Sequence, residues 1–188
     1  MQTALLASYA KDDALLKLGK LLQEKGWHIL GSAGTATYLN EHDIPCKDVA
    51  EIVGEPILGH RVVTLSRELH AALLATDADQ AELDSLGVPR IDLVYVTLYP
   101  LEKAIQGGAS REEIIEKTDI GGPTLLRAAA KGRRLVLSSP IQIDSLADWL
   151  SRGSPENERD ALVTKLVAAA ERRVADYVGA SASYWETR

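Results

Sequence analysis

Residues 117–131 bring together the residue types that this chain could best use for chemistry, in the order Lys-Thr-Asp-Ile-Gly-Gly-Pro-Thr-Leu-Leu-Arg-Ala-Ala-Ala-Lys. The carboxylate of Asp119 stands just ahead of Gly121 and Gly122, whose missing Cβ lets the backbone approach a ligand closely. Pro123 suits the start of a helix, and free N–H groups there can hold an anion or a developing oxyanion. The spacing therefore indicates a carboxylate beside hydrogen-bond donors, although an Asp-capped helix with a Gly-Gly turn would look the same.

Three further features could contribute to a site. Residues 31–35, Gly-Ser-Ala-Gly-Thr, offer hydroxyls and backbone N–H groups at a predicted helix start, which favours phosphate binding but is also typical of ordinary N-caps. Lys11 follows the first predicted strand, where it could contact a phosphate or remain a solvated lysine. Tyr99 ends the clearest strand and could be a half-buried aromatic or a phenol that assists proton transfer.

The elements that must position these residues alternate between strands and helices. Apolar runs predict strands over 4–9, 27–30, 91–98 and 134–138. Helical spacing predicts helices over 12–25, 36–41, 77–86, 109–117, 124–131, 143–150 and 157–177. Residues 53–74 read as a long connection with a short helix near its end, and residues 179–188 read as a tail.

This alternation predicts an α/β fold, with an open, mainly parallel sheet and helices on both faces in three layers. In such sheets ligands bind outside the carboxyl ends of the strands. The loops that follow the predicted strands carry the chain's Gly, Ser, Thr, Lys and Asp residues, so we expect the site at that edge.

Composition bounds the class of protein. A chain of 188 residues suits one domain, and we expect residues 1–188 to form it. The net charge of -6 argues against a nucleic-acid partner, and no apolar run is long enough to span a bilayer. The N-terminus lacks the pattern of a signal peptide, so we expect a cytoplasmic protein with no membrane partner. The lone Cys46 excludes a cysteine zinc cluster, and the four histidines show no metal-ligand spacing.

Asp-Ile-Gly-Gly-Pro-Thr followed by Arg-Ala-Ala-Ala-Lys resembles the signature of the IMP (inosine monophosphate) cyclohydrolase domain, the N-terminal half of the bifunctional purine-biosynthesis enzyme. Other segments resemble this family in the same order, from about residue 4 to the C-terminal helix. They are Lys11 after the opening strand, residues 31–36, Ile44 with Pro45, residues 59–62 (Gly-His-Arg-Val) with Thr64, Leu65 and His70, and residues 91–94 leading to Leu98, Tyr99 and Pro100.

The resemblance implies the fold shared with methylglyoxal synthase and the closure of 5-formamidoimidazole-4-carboxamide ribonucleotide to IMP with loss of water. It implies catalytic roles for Asp119, Lys131 and Tyr99, with Asp119 as base or amide orienter. The substrate-binding residues that it implies are Lys11, Ser32, Gly34, Thr35, Arg61, Thr64, Gly121, Gly122, Thr124 and Arg127. It further implies a purine ribonucleotide substrate, no metal or organic cofactor, a homodimer, and a separate transformylase as a partner, since the family's transformylase domain is absent from these residues.

Several positions depart from the family pattern. The family's Arg-Val-Lys-Thr-Leu-His-Pro reads here with Val63 in place of a lysine regarded as catalytic, and with Ser66 and Arg67 in place of His-Pro. Its Ser-Val-Ser-Asp-Lys-Thr-Gly reads Ala-Ser-Tyr-Ala-Lys-Asp-Asp over residues 7–13, and residues 132–133 are Gly-Arg instead of Asn-His. A valine carries no proton, so a nucleotide-binding domain without catalysis is the second hypothesis. Methylglyoxal synthase is a third, against which the Asp-Ile-Gly-Gly-Pro-Thr motif argues.

Overall fold

A five-stranded, wholly parallel sheet forms the centre of the computed structural model, which describes residues 2–59 and 61–187. The strands are β1 (Thr3–Ser8), β2 (His28–Gly31), β3 (Lys47–Asp48), β4 (Leu93–Thr97) and β5 (Leu135–Leu137), in the order β3-β2-β1-β4-β5. Four successive residues are buried in each of β1 and β4, among them Leu5, Leu6, Val94 and Tyr95. A strand buried on both sides needs helices on both faces, so the predicted three-layer α/β fold is confirmed.

Ten α-helices cover the sheet in the described part of the chain. They are α1 (Asp13–Glu24), α2 (Ala33–Asn40), α3 (Ala50–Val53), α4 (Arg67–Leu74), α5 (Gln80–Leu86), α6 (Leu101–Gln106), α7 (Arg111–Glu116), α8 (Gly121–Lys131), α9 (Ile143–Ser151) and α10 (Glu156–Glu186). No helix among the described residues combines the length and the apolar character that crossing a membrane requires.

In this strand order the loops that follow β1 and β4 lead away from each other, toward opposite edges of the sheet. β1 lies between β2 and β4, and the chain leaves it first toward β2 and β3 and only later returns to build β4 and β5 on the other side. The ends of β1 and β4 are locked together, because Ser8 Oγ lies 2.7 Å from Thr97 Oγ1 and the Tyr9 N–H donates to the Thr97 carbonyl at 3.1 Å. The loops that follow these two strands therefore emerge side by side, in the crevice where open α/β sheets bind ligands.

Some predicted boundaries were wrong. Helix α2 begins at Ala33 instead of residue 36, so Gly34 and Thr35 belong to its first turn and not to a loop. The predicted tail is helical as far as Glu186, because Tyr184 is buried on the core and holds the last turns of α10 in place. Strand β3 and helices α3 and α6 were missed, since each is short and is stabilised by tertiary packing rather than by local periodicity.

Helix α4 ends against the end of α8 with no space between them. The buried guanidinium of Arg134 donates from Nε to the Leu73 carbonyl at 2.8 Å and from Nη2 to the Ala75 carbonyl at 2.5 Å. These carbonyls terminate α4, where a cation is favoured by the helix dipole. Gly132 lies so close that a Cβ there would stand 2.0 Å from the Leu73 oxygen.

We expect Gly132→Ala to lower the free energy of unfolding by about 3 kcal/mol or more, because the atom it strikes is a backbone oxygen that cannot move aside. Gly179→Ala is the matched control, since a Cβ at this exposed position of α10 meets nothing within 4 Å. Its unfolding free energy should be unchanged or higher by up to about 1 kcal/mol. Urea denaturation of both variants measures the difference, and equal stabilities would contradict the packing of α4 on α8.

Candidate active site

The candidate site lies at the carboxyl edge of the sheet, where the loops after β1, β2 and β4 meet the beginning of α8. The rings of Tyr9 and Tyr99 lie 5.0 Å apart, which joins the loops after β1 and β4. Lys11 lies against Gly34, whose Cβ would be 3.6 Å from Lys11 Cε, which joins the loop after β1 to α2. The same crevice thus receives groups from three strands.

The first turn of α2 presents backbone N–H groups beside a lysine. Ser32 precedes the helix without capping it through its side chain, and its hydroxyl instead donates to Thr35 Oγ1 at 3.0 Å. Thr35 is fully buried, and its Oγ1 also accepts from the Ser8 N–H at 3.1 Å. The Thr35 hydroxyl therefore ties α2 to β1, while exposed Gly34 leaves the helix N-terminus open to an anion.

Lys11 is held at this edge by carbonyl oxygens. Its Nζ donates to the carbonyl of Ser8 and, at 3.4 Å, to that of Tyr9. Burial lowers the pKa of the Lys11 ammonium, and the nearby charge of Asp12 opposes that change. A cation fixed next to the beginning of α2 makes a suitable environment for a phosphate dianion.

Asp119 is packed onto the beginning of α8. Its Oδ1 accepts the Gly122 N–H at 2.9 Å, and a Cβ at Gly122 would lie 2.5 Å from Asp119 Oδ2 and 2.7 Å from Leu98 Cδ2. Burial raises the pKa of the Asp119 carboxyl, while hydrogen bonds from the Gly122 and Tyr99 backbones oppose the rise. Glycine is therefore required at 122, and its N–H is engaged by Asp119 instead of being free for an oxyanion.

Thr64 approaches the other glycine of the pair. A Cβ at Gly121 would stand 2.6 Å from Thr64 Oγ1, so this hydroxyl lies directly against the first residue of α8. The Thr124 hydroxyl donates to the Ile120 carbonyl at 2.7 Å within the same turn. Thr64 thus lies at the site, whereas Thr124 stabilises the helix start.

A tyrosine from the C-terminal helix fixes the backbone of Asp119. The Asp119 N–H donates to Tyr177 Oη at 2.7 Å, and that hydroxyl donates to the Lys117 carbonyl at 3.3 Å. Tyr177 is buried, which raises its pKa to about 12 and keeps the hydroxyl protonated. The turn before α8 is therefore anchored from α10.

Tyr99 lies half exposed next to Asp119, and Tyr9 is half exposed against the Tyr99 ring. Partial burial and the negative charge of Asp119 raise the pKa of the Tyr99 phenol, so it stays protonated at neutral pH. A protonated phenol can donate a hydrogen bond to an oxygen that gains charge.

Three predicted site residues are either distant from Asp119 or paired with other side chains. Lys131 is exposed at the last residue of α8, about 15 Å along the axis from Gly121, since each helical residue adds about 1.5 Å. Arg127 pairs with Glu171 of α10 at 3.0 Å, and Arg61 pairs with Glu116 at 2.9 Å. The structure does not bring Lys131 to Asp119.

Among the described residues, the positions that depart from the family pattern place no cation in the site to replace the family's lysine at position 63. Val63 is half buried against the core, and Arg67 is exposed and pairs with Glu68 at 3.4 Å. His70 is engaged through Nδ1 with the Ser66 carbonyl at 2.7 Å. His60 lies outside the described residues.

No group of His, Cys, Asp and Glu side chains suited to a metal ion occurs within residues 2–59 and 61–187. Cys46 is buried against Gly31, and burial raises the pKa of its thiol to about 12, so the thiol is protonated.

Sequence reasoning missed Tyr9 and Tyr177. Tyr9 follows a strand directly, a position that is itself a signal for a site residue. Tyr177 shows no local signal, because its contact with Asp119 joins segments far apart in the chain.

The chain is similar to several known proteins in sequence and in fold. The family model described as MGS-like domain matches residues 14–124. The bifunctional purine biosynthesis protein PurH of Aquifex aeolicus is 41% identical over 157 residues, which cover 80% of this chain and 31% of the relative. PurH of Natranaerobius thermophilus is 37% identical over 97% of this chain and 36% of its own length. The chain thus spans about a third of these relatives. The crystal structure of ForH superposes with a TM-score of 0.76 and 31% identity over 98% of both chains.

The pKa of Asp119 leads to a prediction about stability. Its pKa is raised from the ordinary value of 3.8, so the native state holds this proton more tightly than the unfolded state does. The stability that the proton confers is present below pH 3.8 and is lost as the pH rises through the raised native value. At neutral pH the buried carboxylate is therefore a cost, and Asp119→Asn should unfold at higher urea concentration than the unchanged protein, by a margin that shrinks toward pH 4.

The control for this experiment is Asp79→Asn. Backbone and side-chain hydrogen bonds from Thr76 lower the pKa of Asp79, so its ionised form stabilises the native state above pH 3.8. Asparagine at 79 should therefore lower stability at pH 7, with the loss shrinking as the pH falls. If Asp119→Asn also lowers the stability at pH 7, as Asp79→Asn should, the environment assigned to Asp119 is wrong.

Proposed function

Because the chain belongs to the family of MGS-like domains and is homologous to a part of bifunctional purine biosynthesis proteins, we propose that it closes 5-formamidoimidazole-4-carboxamide ribonucleotide to IMP with loss of water. The observation that carries the proposal is the position of Asp119. Its half-buried carboxylate lies beside the Tyr99 phenol, in the crevice that also holds Lys11 and the beginning of α2. A base, a hydrogen-bond donor and an anion site therefore share one edge of the sheet.

The reaction needs few chemical groups. The carboxamide nitrogen attacks the formyl carbon of the same molecule, a carbon–nitrogen bond forms, and the formyl oxygen takes up the displaced electron pair. The nitrogen loses a proton, the oxygen gains one, and water then leaves to give the closed ring. Because both partners belong to one substrate, positioning provides much of the acceleration.

Asp119 is the proposed base or orienter of the amide. A carboxylate with a raised pKa is a stronger base than an ordinary aspartate. Its Oδ1 is engaged by the Gly122 N–H, which fixes the orientation of the carboxylate. Tyr99 and the Gly121 N–H are the proposed donors to the oxygen that becomes negative.

Lys11 and the first turn of α2 are the proposed phosphate site. Ser32 and Gly34 border that turn, and Thr35 holds it to β1 through its buried hydroxyl. Thr64, lying against Gly121, is a proposed substrate contact. Arg61, Thr124 and Arg127 are engaged with groups of the protein itself, and Lys131 has no assigned role in the site of its own protomer.

The remaining proposals follow the relatives. A purine ribonucleotide is the proposed substrate, a homodimer the proposed assembly, and a separate transformylase the proposed source of the formylated substrate. The proposed location is the cytoplasm, with no metal or organic cofactor. The names of the PurH relatives favour purine chemistry over the methylglyoxal synthase reading.

Binding without catalysis is the second candidate function. Val63 replaces a lysine regarded as catalytic in the family, and Lys131 lies at the far end of α8. A protein with these features could hold a ribonucleotide and leave the ring open. Tight IMP binding with no ring closure would establish this reading in place of the first.

Asp119→Asn separates a catalytic from a structural role. Asparagine retains an oxygen that can accept the Gly122 N–H, so we expect intact folding. A base role predicts a loss of kcat of about a hundredfold or more, which is the usual size for general acid–base catalysis. Ring closure followed by absorbance on the folded variant measures this, with Asp79→Asn as the control that should keep full activity. Retained activity in Asp119→Asn would assign Asp119 to the cap alone.

Val63→Lys tests the effect of the missing lysine. Val63 is half buried, so a lysine there could pack its stem on the core and extend its ammonium outward. We expect kcat to rise about tenfold, which corresponds to about 1.4 kcal/mol of transition-state stabilisation. Val62→Lys, which adds the same charge next to it, should leave kcat unchanged. An unchanged rate in both variants would mean that this site does not use a cation at 63.

A further inference from the structure

We propose that Tyr9, held beside Tyr99, forms an aromatic platform on which the heterocycle of the bound ribonucleotide stacks against the Tyr9 ring, with Tyr9 as a specificity-determining residue; this inference rests on the proposed function. The chemical class recognised is a planar heteroaromatic ring that is joined through ribose to a phosphate. The ring closure proposed above does not depend on an aromatic residue at position 9. A stacking role for Tyr9 would therefore be an additional feature of this chain.

The two rings are paired with each other but covered by little else. Their centroids lie 5.0 Å apart with the planes at 52°, and Tyr9 and Tyr99 are 51% and 47% exposed. Large aromatic side chains usually contribute buried area to a core or to an interface. Two such rings left half open in a crevice offer apolar area to a ligand.

Backbone contacts fix the chain segments that carry the two rings. The Tyr9 N–H donates to the Thr97 carbonyl at 3.1 Å, and the neighbouring Ser8 and Thr97 hydroxyl oxygens lie 2.7 Å apart. Tyr99 follows Thr97 by two residues and precedes Pro100, whose ring restricts the backbone of the residue before it. The platform is thus built on the ends of two paired strands, so little ordering is needed when a ring binds.

The platform adjoins the groups that would hold the rest of a nucleotide. Lys11 Nζ contacts the Tyr9 carbonyl at 3.4 Å and lies over Gly34 at the beginning of α2, so a phosphate held there is next to Tyr9. Tyr99 also adjoins the proposed base, because its backbone donates a hydrogen bond to the Asp119 carboxylate. A ring stacked on the platform would therefore share one crevice with the phosphate site and the proposed base.

Tyr9 is also a departure from the family pattern, which has serine at this place in Ser-Val-Ser-Asp-Lys-Thr-Gly. A serine cannot stack on a heterocycle. Aromatic stacking changes affinity for the ring while leaving contacts to ribose and phosphate untouched, so Tyr9 adds preference for the heterocycle over the sugar phosphate.

The experiment compares Tyr9→Leu and Tyr9→Phe by calorimetric binding of IMP and of ribose 5-phosphate, which lacks the heterocycle. Loss of one stacking ring should weaken IMP binding by about tenfold in Tyr9→Leu, whereas Tyr9→Phe keeps the ring and should stay within about twofold. Ribose 5-phosphate should bind equally to both variants and to the unchanged protein. Tyr38→Leu is the matched control, because Tyr38 also pairs with a ring, that of His42 at 4.5 Å, but further along α2.

Each result decides the proposal. Three results for the variants would overturn the platform: Tyr9→Leu weakens IMP and ribose 5-phosphate binding equally, Tyr38→Leu weakens IMP binding as much as Tyr9→Leu does, or Tyr9→Leu leaves IMP binding unchanged. The platform would also be overturned if the unchanged protein bound IMP no more tightly than ribose 5-phosphate. Ring closure by the unchanged protein is measured separately. Tyr9-dependent IMP binding without ring closure would leave the platform standing and remove the cyclohydrolase function, whereas ring closure with Tyr9-independent binding would do the opposite.

Discussion

The contact between Asp119, Leu98 and the bare Cα of Gly122 sets the geometry of the candidate site. No side chain fits between them, since even a Cβ would lie 2.5 Å from the carboxylate and 2.7 Å from the leucine methyl. The beginning of α8 therefore lies directly against Leu98, in the loop after β4. That close approach brings the carboxylate next to Tyr99, and Thr64 is brought against Gly121 in the same way. The site thus depends on Gly121 and Gly122, because a side chain at either position would displace Thr64, Asp119 or Leu98.

The C-terminal helix α10 supports the candidate site from behind, through contacts with the backbone that carries Asp119. Tyr177 accepts the Asp119 N–H and donates to the Lys117 carbonyl, so the turn that carries the proposed base is satisfied from α10. Arg173, one turn earlier, pairs with Glu102 and lies 5.6 Å from the centre of the Tyr177 ring. These contacts tie α6, the turn before α8 and α10 together.

Charge is distributed unevenly across the site. One ammonium, Lys11, lies at the edge where a phosphate is proposed, whereas Arg61 and Arg127 are engaged with glutamates and Val63 carries none. The proposed reacting groups are therefore the half-buried Asp119 carboxylate, the Tyr99 phenol and backbone N–H groups. The proposed ring closure suits such a set, because within one molecule positioning matters more than a series of charged acids.

The fold class could be predicted from the sequence, because alternating apolar strands and amphipathic helices leave few architectures other than a covered parallel sheet. The sequence also placed Asp119 at the start of a helix, since the Gly-Gly-Pro turn is encoded locally. Three contacts could be found only in the folded chain: Gly122 donates to Asp119, Tyr9 pairs with Tyr99, and Tyr177 anchors the turn before α8. The folded chain also shows that Lys131, close to the motif in sequence, lies a helix length away from Asp119. The physical reason is that local patterns fix the backbone conformation of a segment, whereas the contacts of a side chain depend on which distant segments pack against it.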